Sequence, residues 1–248
     1  WHCSTGPNIS YNEVFYRRRD AAGNWGPLVN VSSTPATGSI YPDIAVDGQG
    51  RVFVAWHESI NGWDVVMAMF DGAAWQPMQT VGSSPQIDAY PVLAVDGSDT
   101  LHLAYTWNYE EIYYRKRDAA GNFSPTVNIS SAPGKSQDPH LAVAPDGTPH
   151  VVWHDARTGD WEYFYATRSQ GSWQPPVNLS NSPETTDCYG AVAVSADGSV
   201  HEVWQDYRNI YYTRKVGSVW PSAMLLPPSR YATKHAVIWV DVRLDAHL

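Results

Sequence analysis

A repeat of 49 to 51 residues, four short strand patterns inside each repeat and no sustained helical periodicity predict an all-β chain. The architecture they point to is a five-bladed β-propeller of four-stranded antiparallel blades, spanning residues 1–248 as one domain. The copies are Tyr41-Pro-Asp-Ile-Ala-Val-Asp47-Gly48, Tyr90-Pro-Val-Leu-Ala-Val-Asp96-Gly97, Asp138-Pro-His-Leu-Ala-Val-Ala-Pro-Asp146-Gly147 and Tyr189-Gly-Ala-Val-Ala-Val-Ser-Ala-Asp197-Gly198. One small sheet cannot bury its own faces. Radial packing buries both faces of each sheet, and a closed ring leaves only short edges.

Each repeat begins with a strand A such as Ile44-Ala-Val, whose nearly continuous apolar run suggests burial on both faces. An Asp-Gly pair, favoured where a turn needs positive φ, then leads into strand B, which ends at Trp56, Tyr105, Trp153 or Trp204. Strand C follows as Asp64-Val-Val-Met, Glu111-Ile-Tyr-Tyr, Glu162-Tyr-Phe-Tyr or Asn209-Ile-Tyr-Tyr. A Gly-containing turn closed by Trp25, Trp75, Phe123, Trp173 or Trp220 precedes a short strand D such as Pro176-Val-Asn-Leu-Ser180.

Four blades are complete, at about 41–81, 90–130, 139–180 and 189–226. The fifth combines 236–248 with 1–31, so that terminal strands share one blade and seal the ring. Ala236–Asp241 then supplies strand A, Arg243–Leu248 strand B, and Trp1 falls where other B strands end. An alternative alignment matches Trp239-Val-Asp-Val-Arg243 to Trp153-His-Asp-Ala-Arg157 and makes it a B strand.

Composition narrows the function classes. Asp and Glu number 25 against 16 Lys and Arg, a net charge of −9, and no basic stripe is present. Nucleic acid and anionic membrane surfaces call for the opposite balance. No apolar stretch approaches the roughly 18 residues of a membrane span. The opening Trp1-His2-Cys3 is neither a Met nor a signal peptide, so an upstream segment is expected. Cys3 and Cys188 are expected at the same end of neighbouring blades, as one bridge or two thiols. With 12 Trp and 15 Tyr against 5 Phe, the chain favours side chains that pair a flat apolar face with a polar tip.

Asp20-Ala-Ala-Gly-Asn-Trp25 and Asp118-Ala-Ala-Gly-Asn-Phe123 resemble the Asp-box turn of the sialidase-like (BNR-repeat) β-propellers. Trp153-His-Asp-Ala-Arg157 and the Glu111-Ile-Tyr-Tyr strands are similar to repeats of secreted bacterial members of that superfamily. The resemblance implies a secreted or extracellular propeller of a non-catalytic or uncharacterised branch. Catalytic sialidases have six blades, an Arg-Ile-Pro-like segment and three substrate-binding arginines. This sequence carries neither that segment nor a sixth blade, so sialidase activity is not carried over.

Repeated residues divide into structural and functional sets. The Asp of each turn is expected to cap that turn. Asn8, Asn30, Asn128 and Asn178 match glycosylation sequons, but the last three share one repeat position and read as turn initiators. His102, His150, His201 and His247 lie within B strands and read as packing groups. His57, His154 and His2 follow the B-strand end, at the same end of the ring as the D–A loops.

That end collects the candidate site. The B–C loops offer His57, Glu58, Trp107, Asn108, His154, Asp155, Arg157, Gln205, Asp206 and Arg208. The D–A loops offer Tyr41, Asp43, Asp88, Tyr90, Asp138, His140, Asp187, Tyr189 and His235. Aromatic faces beside carboxylates and arginines suit a sugar, whose C–H face stacks while its hydroxyls hydrogen-bond. The reading is a monomeric, lectin-like propeller that binds glycans. Its alternatives are a glycoside hydrolase or polysaccharide lyase, with Glu58, Asp155 and Asp206 as the carboxylates, and a protein-interaction scaffold. Asp155–Arg157 and Asp206–Arg208 equally suit mere loop cross-links. No cofactor is expected, though a Ca²⁺ or other divalent ion at the mouth stays open.

Overall fold

The computed structural model describes residues 12–60, 62–131, 134–182, 187–206 and 209–227, with backbone alone for 2–4, 188, 239–240 and 246–247. Among these residues the secondary structure is all strand and turn, without a helix. Four complete antiparallel sheets follow one another along the chain. The first holds β4 (Ser39–Val46), β5 (Val52–Glu58), β6 (Asp64–Phe70) and β7 (Gln79–Gly82). The next holds β8 (Asp88–Val95), β9 (Leu101–Trp107), β10 (Glu111–Arg117) and β11 (Val127–Asn128). The third holds β12 (Ser136–Val143), β13 (Pro149–Asp155), β14 (Glu162–Ser169), β15 (Ser172–Trp173) and β16 (Val177–Asn178). The last of the four holds β17 (Cys188–Val194), β18 (Val200–Gln205), β19 (Ile210–Arg214) and β20 (Met224–Leu225). Ahead of them stands β1 (His2–Ser4), β2 (Asn12–Tyr16) and β3 (Val29–Asn30), and after them the hairpin of β21 (Trp239–Val240) and β22 (Ala246–His247).

The leading strands lie side by side in chain order, β4 on β8, β8 on β12, β12 on β17 and β17 on β21, as blades around an axis. The register places His2 opposite Val14, as His57 stands opposite Val65 and His154 opposite Tyr163. His2 therefore occupies the backbone position of the other two histidines. The seams carry the core. Trp56, Trp153 and Trp204 are almost fully buried, each removing enough apolar surface to contribute about 3 kcal/mol. Tyr16, Tyr114 and Tyr165 meet Trp75, Trp173 and Trp220 of the following blade edge-on, at 5.2, 4.9 and 4.9 Å. The expected packing histidines of strand B hold tyrosines of strand C: His102, His150 and His201 pair through Nδ1 with the hydroxyls of Tyr114, Tyr165 and Tyr212.

The Asn-x-Ser repeat proves to be an internal staple. In three blades the Asn carboxamide (Asn30, Asn128, Asn178) accepts the backbone N–H three residues on, closing the turn. The following Ser hydroxyl accepts a strand-C N–H, from Val14, Ile112 or Tyr163. It also donates to a strand-C carboxylate, Glu13, Glu111 or Glu162. The turns between strands C and D are held as expected: Asp20 and Asp118 accept the N–H of Asn24 and Asn122 across left-handed Gly23 and Gly121.

Three expectations need correction. The leading strands begin two or three residues earlier than the sequence suggests, and in each the ladder slips at a β-bulge. The bulged residue is left-handed, at Tyr41 (φ 51°), Tyr90 (51°), Asp138 (55°) and Tyr189 (45°), and Pro follows it in three blades. Proline has no N–H for the ladder, so the pairing must skip there. In the A–B turns of the first two complete blades the positive φ falls on Gly50 and Asp99, not on Gly48 or Gly97. Finally, β4 is not buried on both faces: Ile44 and Val46 are 50% and 56% exposed, and Ile44 lines a cavity of about 200 Å³ against β2.

Candidate functional site

Three of the four bulges meet around one cavity. The residues from Tyr41 to Asp43, Tyr90 to Leu93 and Asp138 to Leu141 line a cavity of about 370 Å³. One wall is aromatic. Tyr41 and Tyr90 meet edge-on at 5.0 Å, and buried His57 packs behind them, 5.0 Å from Tyr41 and 5.6 Å from Tyr90. Trp63 lies 5.1 Å behind His57, and Tyr109 extends the wall from Tyr90 at 6.1 Å. Burial and the neighbouring Tyr109, Tyr41 and Asp138 push the Tyr90 hydroxyl far above its usual pKa, so it stays a neutral donor.

The polar part of the wall comes from Asp43, Asp138 and His140. Asp138 stands where the other blades place Tyr, and His140 stands at the position of Asp43. The backbone N–H of Asp138 donates to Thr106 Oγ1 at 3.1 Å, which ties the bulge to the preceding blade. Asp43 Oδ2 accepts the Leu93 N–H at 2.6 Å, yet burial raises its pKa on balance. His154 lies behind this wall, 6.2 Å from Tyr189 and 6.4 Å from Trp161. Burial holds its pKa down to about 4, against the pull of Asp138, so the ring is neutral at pH 7. Its Nε2 is buried without a hydrogen-bond partner among the described residues.

The structure puts Tyr41 and Tyr90 on the cavity, buries His57 behind them, sets His154 beside Tyr189, and separates Glu58 and Asp155 from the cavity. Both carboxylates are fully buried at the last residue of strand B. Glu58 accepts the Trp56 indole N–H at 2.7 Å and hydroxyls of Ser39, Thr34 and Thr37. Asp155 accepts the Trp153 indole N–H and the Ser136 hydroxyl, both at 2.8 Å, and pairs with Arg157. Burial alone would raise the Asp155 carboxyl, but Arg157, Trp153 and Ser136 bring it below the ordinary carboxylate value. Arg157 also donates to Ser130 O of the preceding blade and covers the Phe164 ring at 4.5 Å, a cross-link.

Asp206 caps the B–C turn, accepting Asn209 N–H at 2.6 Å and the Tyr211 hydroxyl at 3.1 Å. Trp107 packs on Tyr113 of its own blade, and left-handed Asn108 forms the turn that carries Tyr109 to the mouth. Gln205 ends β18. Asp88 and Asp187 are buried beneath the bulges, where burial raises both to about 6. Arg208 and His235, and the side chains of His2, Cys3, Cys188 and His247, lie outside the described residues, so the disulfide expectation does too. No group of three or more His, Cys, Asp or Glu that could hold a metal ion is found among the described residues.

Sequence reasoning missed Tyr109, Trp63 and Trp161. Its only available signal was the aromatic just before strand C in two repeats. It did place Asp43, Asp138 and His140 at the mouth, without a reason to rank them above Asp155.

No sequence-family model and no curated protein matches this chain. Solved structures do. A microbial sialidase shares 14% identity at a TM-score of 0.56, over 91% of this chain and 54% of its own. An α-L-arabinanase of Penicillium chrysogenum, solved with arabinobiose, shares 13% at 0.59, over 81% of this chain and 70% of its own. A protein of unknown function from Dyadobacter fermentans shares 11% at 0.60, over 75% of this chain and 68% of its own. The fold is that of the sialidase-like β-propellers. At these identities the likeness concerns the fold, and the chain spans little more than half the length of the sialidase it matches.

Proposed function

We propose that this sialidase-like propeller is a carbohydrate-binding protein whose site is the channel mouth. One observation carries the reading: a single cavity is lined by the Tyr41–Tyr90 pair together with Asp43, Asp138 and His140. A sugar ring is amphipathic in the same way, with a C–H face for stacking and equatorial hydroxyls for the carboxylate edge. The similar folds of a sialidase and an arabinanase lend support, since both act on glycans at a propeller. The ring closes on five blades in this reading, through a shared terminal blade, and the protein works outside the cell as a monomer.

Binding is favoured over hydrolysis by where the acids sit. Glu58 and Asp155 are consumed by indole, hydroxyl and guanidinium partners inside their blades. A hydrolase would instead have to use Asp43 and Asp138, the carboxylates that line the cavity. The test is a glycan array followed by NMR titration of the best ligand, with Tyr90→Ala as control. Binding lost in Tyr90→Ala without turnover supports the lectin. Turnover of a chromogenic glycoside that disappears in Asp138→Asn replaces it with the enzyme, and an array blank at millimolar sugar refutes the carbohydrate reading.

A further inference from the structure

We infer that the mouth selects sugars bearing a protonated amine, 2-amino-2-deoxyhexose units, over acidic or uncharged ones. This rests on the carbohydrate reading above and narrows its ligand class. The charged groups of the cavity are two carboxylates, Asp43 and Asp138, beside His140, and no Lys or Arg is among its lining residues. A sugar carboxylate or sulfate placed there meets like charge, with no Lys or Arg in the lining to offset it.

Asp43 makes the point sharply. It is desolvated, and burial outweighs the backbone N–H groups of Leu93 and Ile44 that favour its ionised form. An ammonium group delivered to this wall relieves that cost, whereas a hydroxyl does so only weakly. Tyr41 and Tyr90 line the same cavity, and the negative faces of tyrosine rings attract a cation as well as a C–H surface. The repeat marks the acid as a departure: the bulge holds Tyr in three blades and Asp138 in the fourth, so a carboxylate near Tyr90 stands where another ring would otherwise be. The net charge of −9 draws cationic ligands toward the molecule at longer range. A lysine side chain offers the same ammonium, but a cavity of about 370 Å³ lined by two tyrosine rings suits a sugar ring better than a slender alkyl chain.

The experiment is calorimetric titration of the intact chain at pH 6 with four probes: a glucosamine tetramer, its fully N-acetylated counterpart, a uronate tetramer and a lysine-rich peptide. The glucosamine tetramer is expected to bind, the acetylated one at least about tenfold more weakly, and the uronate not at all. Asp138→Asn and Asp43→Asn should each bring the amine ligand down to the affinity of the acetylated one. Asn tolerates the left-handed backbone at 138 and keeps an acceptor for Leu93 N–H at 43, so both variants should retain the wild-type circular dichroism and melting temperature. Equal affinity for amine and N-acetyl ligands overturns this inference and leaves the carbohydrate reading intact. Failure of every sugar overturns both, and a peptide that binds more tightly than any sugar transfers the ammonium site to lysine recognition and overturns the sugar assignment.

Discussion

The bulge of a leading strand and the end of the strand B beside it lie across one ladder, yet they treat polar side chains in opposite ways. At the end of strand B, Glu58 and Asp155 are sealed and bound to the indole two residues back. At the bulge, Tyr41 and Asp138 share a backbone conformation and differ wholly in chemistry. The first region spends charge on holding a blade together, and the second offers it to the cavity. In a repeat protein the position whose backbone is constant and whose side chain varies is where to look for individual function.

The comparison breaks most readily at the sealed end. Asp155→Ala leaves the Trp153 indole, the Ser136 hydroxyl and Arg157 without their acceptor. It should cost about 3–5 kcal/mol in urea unfolding, with a loss under 1 kcal/mol sinking the structural assignment. A pH series sharpens the contrast. Burial, with Lys215 adding to it, holds His150 at about 4 in the folded protein, below the ordinary 6.5. Its contribution is present above pH 6.5 and is lost as pH falls from 6.5 toward 4, up to about 3 kcal/mol. His150→Phe, the residue that Phe53 supplies at this position in another blade, should flatten that slope in melts between pH 7 and 4. Asp88 and Asp187, raised to about 6, act in the opposite sense, losing stability as pH rises from 3.8 to 6.

Smaller effects test the staple and the mouth. Ser130→Ala removes the donor to Glu111 and the acceptor for Ile112 N–H, and should lower stability by about 1–2 kcal/mol by thermal melt. Asp138→Tyr restores the residue of the other blades at a backbone that already accepts it. Its stability change should stay within about 0.5 kcal/mol while ligand binding in the same titration is lost, and the reverse pattern would erase the distinction between the regions.

Much of the fold could be read from the chain because its signals are local and recur: turn residues, alternating strands and a fixed period. The bulge was hidden because proline after a tyrosine announces an interruption without saying on which side the strand begins. The sealing of Glu58 and Asp155 was in principle readable. In Trp56-His57-Glu58 and Trp153-His154-Asp155 the first and third residues share one face of a strand, so the carboxylate belongs beside the indole and the histidine points the other way. Tyr109 was not readable, since only the two left-handed residues of its turn, Asn108 and Tyr109 itself, aim its ring at Tyr90.

Gly190 stands where three other blades have proline, and a Cβ there would lie 2.3 Å from Cζ of Tyr163 in the blade before it. The corresponding strand-C residues elsewhere are Val14, Val65 and Ile112, none of which fills that space. Neighbouring units are thus keyed as lock and tooth, and their succession is written in side-chain bulk. A synthetic ring made by copying the Tyr163 unit alone would set that ring against Pro139 at every joint and fail to assemble, whereas transplanting the two units together would carry the fit with them.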